Sequence, residues 1–160
     1  MYKIPESVLV IIYSEHLDVL LLERAGQPGL WQSVTGSKDY VGEALIATAM
    51  REVKEETGIA IVESEKLSTT YNAVHKDCLR DWHLTNQYEI YPMWRHRYAP
   101  GVVHNIEHVF SLLVPRHIVV RLAAREHVRY QWLPYVEAAH QCFSPSNAQA
   151  ILQLTQYHAH

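Results

Sequence analysis

Gly42-Glu43-Ala44-Leu45-Ile46-Ala47-Thr48-Ala49-Met50-Arg51-Glu52-Val53-Lys54-Glu55-Glu56-Thr57-Gly58 is the stretch that decides how this chain folds. Leu45, Ala49 and Val53 recur every four residues, with Ile46 and Met50 beside them, which is the period of a helix with one buried face. The spacing predicts a helix over 42–57 closed by Gly58, since glycine adopts the left-handed backbone of a C-terminal cap most easily. Glu52 and Glu56 stand four residues apart with Glu55 alongside, so three carboxylates converge beside the apolar stripe. In water each like-charged pair repels by roughly 0.3 kcal/mol, and near a low-dielectric cleft by more. A hard divalent cation relieves that repulsion, and oxygen ligands suit Mg²⁺ or Mn²⁺. The alternative is a solvated acidic face balanced by Arg51 and Lys54.

Upstream, residues 8–13 form an unbroken aliphatic and β-branched run, which predicts a strand buried on both faces. A second strand is expected over 19–23, a Gly/Pro loop over 25–29 and a short apolar segment over 30–34. Downstream, strands are expected over 59–67, 87–98, 108–114, 117–122 and 130–133, and a helix over 134–141. Residues 68–86 are mixed and polar and receive no assignment. Ser144-Pro145 opens a last helix, with Ser144 as N-cap and Pro145 at its first position. Strands alternating with helices, without a linker or repeat, imply one α/β layered domain over 1–160.

A chain of 160 residues, 48% apolar and 19% charged, is large enough for a core that needs neither disulfide nor structural metal. The net charge of -3 argues against a nucleic-acid polymer or an acidic membrane surface as partner. Cys78 and Cys142 are far apart in sequence and fit a reducing compartment. The apolar run that follows residues 1–7 is too short to cross a membrane and has no cleavage site after it, so a cytoplasmic protein is expected. The eleven histidines include no H-E-x-x-H pair. The sequence leaves the oligomeric state open.

Gly36, Glu43 and Arg51-Glu52-Val53-x-Glu55-Glu56-x-Gly58-Ile59 together resemble the signature of the Nudix hydrolases. The chain departs from that pattern in one respect: six residues separate Gly36 from Glu43, where the family usually has five. The resemblance implies the Nudix fold, a mixed sheet sandwiched between helices, and a metal-assisted attack of water on a diphosphate. Within the family, Trp31-Gln32-Ser33-Val34-Thr35-Gly36-Ser37, the segment 95–102 with Asn105 and Glu107, Glu126-His127, Tyr130-x-Trp132-Leu133 and Ser146-Asn147 are similar to the bacterial dihydroneopterin triphosphate pyrophosphatases.

That similarity implies hydrolysis of dihydroneopterin triphosphate to the monophosphate and pyrophosphate, with Mg²⁺ held by Glu52, Glu56 and Glu126. It makes Arg51, Glu52, Glu55, Glu56 and Glu126 the expected catalytic set. Substrate contacts are expected at Lys3, Arg24, Thr35, Tyr88, Glu89, Ile90, Tyr91 and Ser144. On an extended strand Arg95 and Arg97 would share a face and could grip phosphates, and Trp31 could stack on a pterin or sit in the core. A housecleaning hydrolase of (deoxy)nucleoside triphosphates or dinucleoside polyphosphates is the first alternative. A Nudix module that binds nucleotide without cutting it is the second, although such a module has no need of clustered acids.

Overall fold

The computed structural model describes residues 1–64 and 72–158. The aliphatic run predicted as a fully buried strand is β1 (Glu6–Tyr13), covered on both faces. It is followed by β2 (Asp18–Arg24), β3 (Trp31–Gln32) and β4 (Val34–Ser37), then by α1 (Leu45–Thr57). Two short strands come next, β5 (Ala60–Val62) and β6 (Ala73–His75), which pair in parallel as a separate ribbon. A long edge strand, β7 (Leu79–Glu89), precedes β8 (His104–Leu113) and β9 (His127–Pro134). The chain then closes with α2 (Tyr135–Gln141), α3 (Pro145–Leu152) and α4 (Leu154–Tyr157).

The main sheet runs β3-β2-β1-β8-β7, with β4 paired to β1 and β9 to β2. β1 and β8 are parallel and the other pairings are antiparallel, so the sheet is mixed. Because side chains alternate along β1, Val8, Val10 and Ile12 face one layer and Leu9, Ile11 and Tyr13 the other. Ala49 and Val53 of α1 pack on the first face; Ala138, Ala139, Ile151 and Leu154 from the C-terminal helices pack on the second. The expected sheet between helices is therefore present. α1 ends as predicted: Gly58 has φ 76° and its N–H donates to the Lys54 carbonyl at 3.0 Å.

Three expected strands need correction. The one placed over 59–67 is confined to β5, and residues 65–67 lie outside the described part. The one placed over 87–98 is the end of β7 followed by a 3₁₀ turn over Pro92–Arg97. Pro92 fixes its φ and has no N–H for a ladder, so the strand cannot continue through it. Arg95 and Arg97 consequently do not share a strand face. The apolar segment 117–122 forms no strand either. Its backbone bonds go elsewhere: Asn72 exchanges two hydrogen bonds with Val119, and the Arg121 N–H donates to the carbonyl of Thr57 at 2.7 Å. Val120 fills the core under α1. β7, most of it in the unassigned stretch, was hard to read because it is an edge strand with one polar, exposed face.

Candidate functional site

Two adjoining cavities, of about 510 and 590 Å³, share Lys3, Arg24, Thr35, Gly36 and Arg97 on their walls and so form one groove. The smaller holds the α1 carboxylates, Glu126 and His127; the larger lies over the start of β8.

α1 enters the groove on a clamp. Glu43 is buried and accepts from Arg51 Nε at 3.1 Å and Nη2 at 2.9 Å, from Thr48 Oγ1 at 2.8 Å and from the Asp39 N–H at 3.0 Å. Those bonds, Arg51 first, hold its pKa down to about 2. Arg51 also donates through Nη1 to Glu52 Oε1 at 2.8 Å and through Nη2 to the Ser37 carbonyl at 3.0 Å, which orients Glu52. With six residues between Gly36 and Glu43, the loop still brings Glu43 onto Arg51 of α1. Gly36 passes so close to the helix that a Cβ there would collide with the Glu52 carboxylate. Any larger residue there would push the Glu52 carboxylate from its place.

Glu56 contrasts with Glu43. It is 1% exposed, and only the Glu52 carboxyl and the Thr35 N–H approach its carboxylate, neither in a well-formed hydrogen bond. Burial, then the neighbouring Glu52 and Glu126, push its pKa well above the ordinary carboxylate value. Glu52 is raised too, chiefly by burial. Glu126, exposed in the turn before β9, and His127, the first residue of β9, close the other side. Ligand atoms of Glu56, Glu126 and His127 lie within 4.8 Å of one another. Burial, then the nearby Arg24, lowers the His127 pKa to about 4, so its approach to Glu56 at 3.7 Å is no ion pair at neutral pH. Both ring nitrogens of His127 are buried without a partner. Two orphaned carboxylate oxygens beside a neutral imidazole are a donor set that fits a divalent cation.

Glu52 and Glu55 line the same cavity, with Glu55 exposed and 3.5 Å from Arg51 Nη1. Lys3, Arg24 and Arg97 form a cationic seam where the cavities meet. The protein around Lys3, and then Arg97, lower its pKa; Arg24 is lowered by burial, then by Arg97. The Arg24 guanidinium lies 4.9 Å over the Trp94 ring and donates to Gln27 Oε1 at 2.9 Å.

Thr35 bridges both cavities, while Tyr88, Glu89, Ile90, Tyr91 and Ser144 line the larger. Ser144 is also the N-cap of α3, accepting from the Asn147 N–H. Glu89 is paired with Arg95 at 2.7 Å, and Arg95 lines neither cavity. Trp31 lines neither cavity; it packs on the core layer formed by the C-terminal helices, with Arg129 over its ring. His127 was missed as a site residue because its strand was expected to begin only at residue 130. Asn105 and Glu107, two residues apart on β8, share a common face of that strand.

The NUDIX domain model matches residues 3–154, and the chain belongs to the Nudix family. It is a pyrophosphohydrolase of that family, as its relatives' names state. The dihydroneopterin triphosphate diphosphatase of Escherichia coli strain K12 is 44% identical over 153 residues, covering 95% of this chain and 93% of that protein. The Haemophilus influenzae enzyme of the same name is 34% identical over 94% of this chain and 87% of its own length. The solved structure of the E. coli dihydroneopterin triphosphate pyrophosphohydrolase superposes with a TM-score of 0.77 at 41% identity, covering 98% of this chain and 99% of that one.

Proposed function

We propose that this chain, as one domain over 1–160, hydrolyses dihydroneopterin triphosphate with water to dihydroneopterin monophosphate and pyrophosphate, a step toward folate, with Mg²⁺ as the ion and Mn²⁺ as a substitute. The observation that carries the reading is the continuity of the groove. An acidic pocket with orphaned carboxylate oxygens opens through three cations into a second cavity of about 590 Å³, lined by aromatic and polar groups. That order suits a ligand with a charged chain at one end and a flat heterocycle at the other.

Glu52, Glu56 and Glu126 would hold the metal, with His127 beside them. A bound divalent ion supplies charge neutralisation on phosphoryl oxygens and lowers the pKa of water. The chain's own residues do the rest. Arg51 keeps the Glu52 carboxylate aimed into the pocket. Glu126 or Glu55, both exposed to the groove, orients the attacking water and takes its proton. Lys3, Arg24 and Arg97 offset the charge of the polyphosphate, while Thr35, Tyr88, Glu89, Ile90, Tyr91 and Ser144 flank the substrate. The free thiols Cys78 and Cys142 support a cytoplasmic, reducing setting. Among the described residues no helix is long and apolar enough to cross a membrane.

The test is turnover. Purified protein with dihydroneopterin triphosphate and Mg²⁺ is expected to release pyrophosphate. A rate no faster than that of Glu56→Gln, or a kcat/KM at least tenfold higher for dATP or 8-oxo-dGTP, would assign another substrate.

A further inference from the structure

Asn105 and Glu107 sit two residues apart on β8 and line the larger cavity. They are 1% and 4% exposed, in a chain where such polar groups must account for each lone pair. Asn105 Nδ2 donates to Ser7 Oγ at 2.7 Å and to the Tyr88 hydroxyl at 3.1 Å, which fixes the amide orientation. Its Oδ1 is buried with no partner. Glu107 Oε1 accepts from Ser146 Oγ at 3.0 Å and from Asn86 Nδ2 at 3.4 Å. Its Oε2 makes no hydrogen bond with any described residue. Glu107 therefore keeps one free acceptor, Oε2, in the cavity wall, with the anchored Asn105 amide beside it. Tyr91, Trp94 and Phe143, with ring centroids 5.2 to 6.2 Å apart, form an aromatic cluster on its wall.

The geometry points to Glu107, backed by Asn105, as the specificity-determining pair that reads the 2-amino-4-oxo-pyrimidine edge of the substrate's ring. This rests on the pterin triphosphate reading above and goes beyond it, because the metal end recognises phosphates only. Such a ring offers an exocyclic amine and an adjacent ring N–H, a pair of donors from which the free Glu107 Oε2 can accept. Adenine and cytosine present no such adjacent pair. The aromatic cluster offers the ring a flat apolar wall. Ser146 and Asn86 hold the Glu107 carboxylate in place and are positioning residues.

The edge can be varied one group at a time. GTP carries the same amine and N–H, and ITP lacks only the amine. Dissociation constants for both are measured by calorimetry on the wild type and on Glu107→Gln, with kcat/KM for dihydroneopterin triphosphate and ATP on the same preparations. The wild type is expected to bind GTP about tenfold more tightly than ITP, as a site built around a substrate N–H discriminates. In Glu107→Gln that preference should shrink to within about threefold, and the kcat/KM ratio of pterin to adenine substrate should fall about tenfold. Each result is a ratio within one preparation, so partial unfolding of the variant cancels. Equal binding of GTP and ITP by the wild type, binding of neither, or a preference that survives Glu107→Gln would overturn the inference. A Glu107-dependent GTP preference without any pterin turnover would uphold the edge reading while sinking the substrate assignment. Pterin turnover with unchanged ratios would do the reverse.

Discussion

Glu43 and Glu56 belong to one signature, both are buried, and their acidities move in opposite directions. Glu43 has every bond it needs, from Arg51, Thr48 and the Asp39 N–H, and its pKa falls to about 2. Glu56 makes no well-formed hydrogen bond, and burial, then the adjacent Glu52 carboxyl, raises its pKa. The first carboxylate holds the helix to its loop. The second is buried against another acid, a cost that the Thr35 N–H offsets only in part. Burial alone does not tell a stabilising acid from a working one; the list of bond partners does.

The comparison breaks most visibly under Glu56→Gln. That change should lower kcat by about a thousandfold with little change in KM, since the interaction matters chiefly in the transition state. In EDTA the same variant should melt no lower than the wild type, because it removes a carboxyl whose charged form burial and Glu52 disfavour. A fall confined to KM, or a melting temperature well below the wild type in EDTA, would place Glu56 with Glu43. Gly36→Ala should act on the next scale down. Its methyl group must displace the Glu52 carboxylate, and misplacement of a catalytic group by about 1 Å costs about a hundredfold in rate.

Glu43→Gln should show the opposite pattern, with stability as the main loss. Breaking a buried ion pair costs about 3 kcal/mol, a drop of about 6 to 12 °C in Tm for a domain of this size. An unchanged Tm would mean that Arg51 holds the loop without it. The smallest expected effect is on pH. The folded pKa of Glu43 lies below its unfolded value of 4.5, so its stabilisation is whole above about pH 4.5 and fades as pH falls toward 2. Glu56 is raised, so its effect has the other sign: in EDTA the wild type should lose stability relative to Glu56→Gln as pH climbs above 4.5. Melting curves from pH 3 to 8 separate the two.

The acidic half of the groove was legible because it is local. One helix with a clean period, a glycine cap and carboxylates at fixed spacing places Glu52, Glu55 and Glu56 without tertiary knowledge. β1 was equally plain, since no other element reads as six consecutive buried aliphatic and aromatic residues. The other half is assembled from β7, β8, the 3₁₀ turn at Pro92–Arg97 and the start of α3. No period joins those pieces. Pro92 converted an expected strand into the turn that carries Trp94 and Arg97 into the groove. Residues 117–122 have the composition of a strand, yet the side chain of Asn72 and the end of α1 took their backbone bonds. Glu107 gave no signal of its own, because an acidic residue at alternate spacing on a strand usually faces water.

The central claim is that Glu56 is buried among other acids because its partner is a divalent cation. Calorimetric titration of Mg²⁺, and separately of Mn²⁺, into the wild type and Glu56→Gln tests it directly. The wild type should bind the ion, and Glu56→Gln should bind it at least about tenfold more weakly, as loss of a ligating carboxylate requires. Equal affinity in the two proteins would contradict the claim.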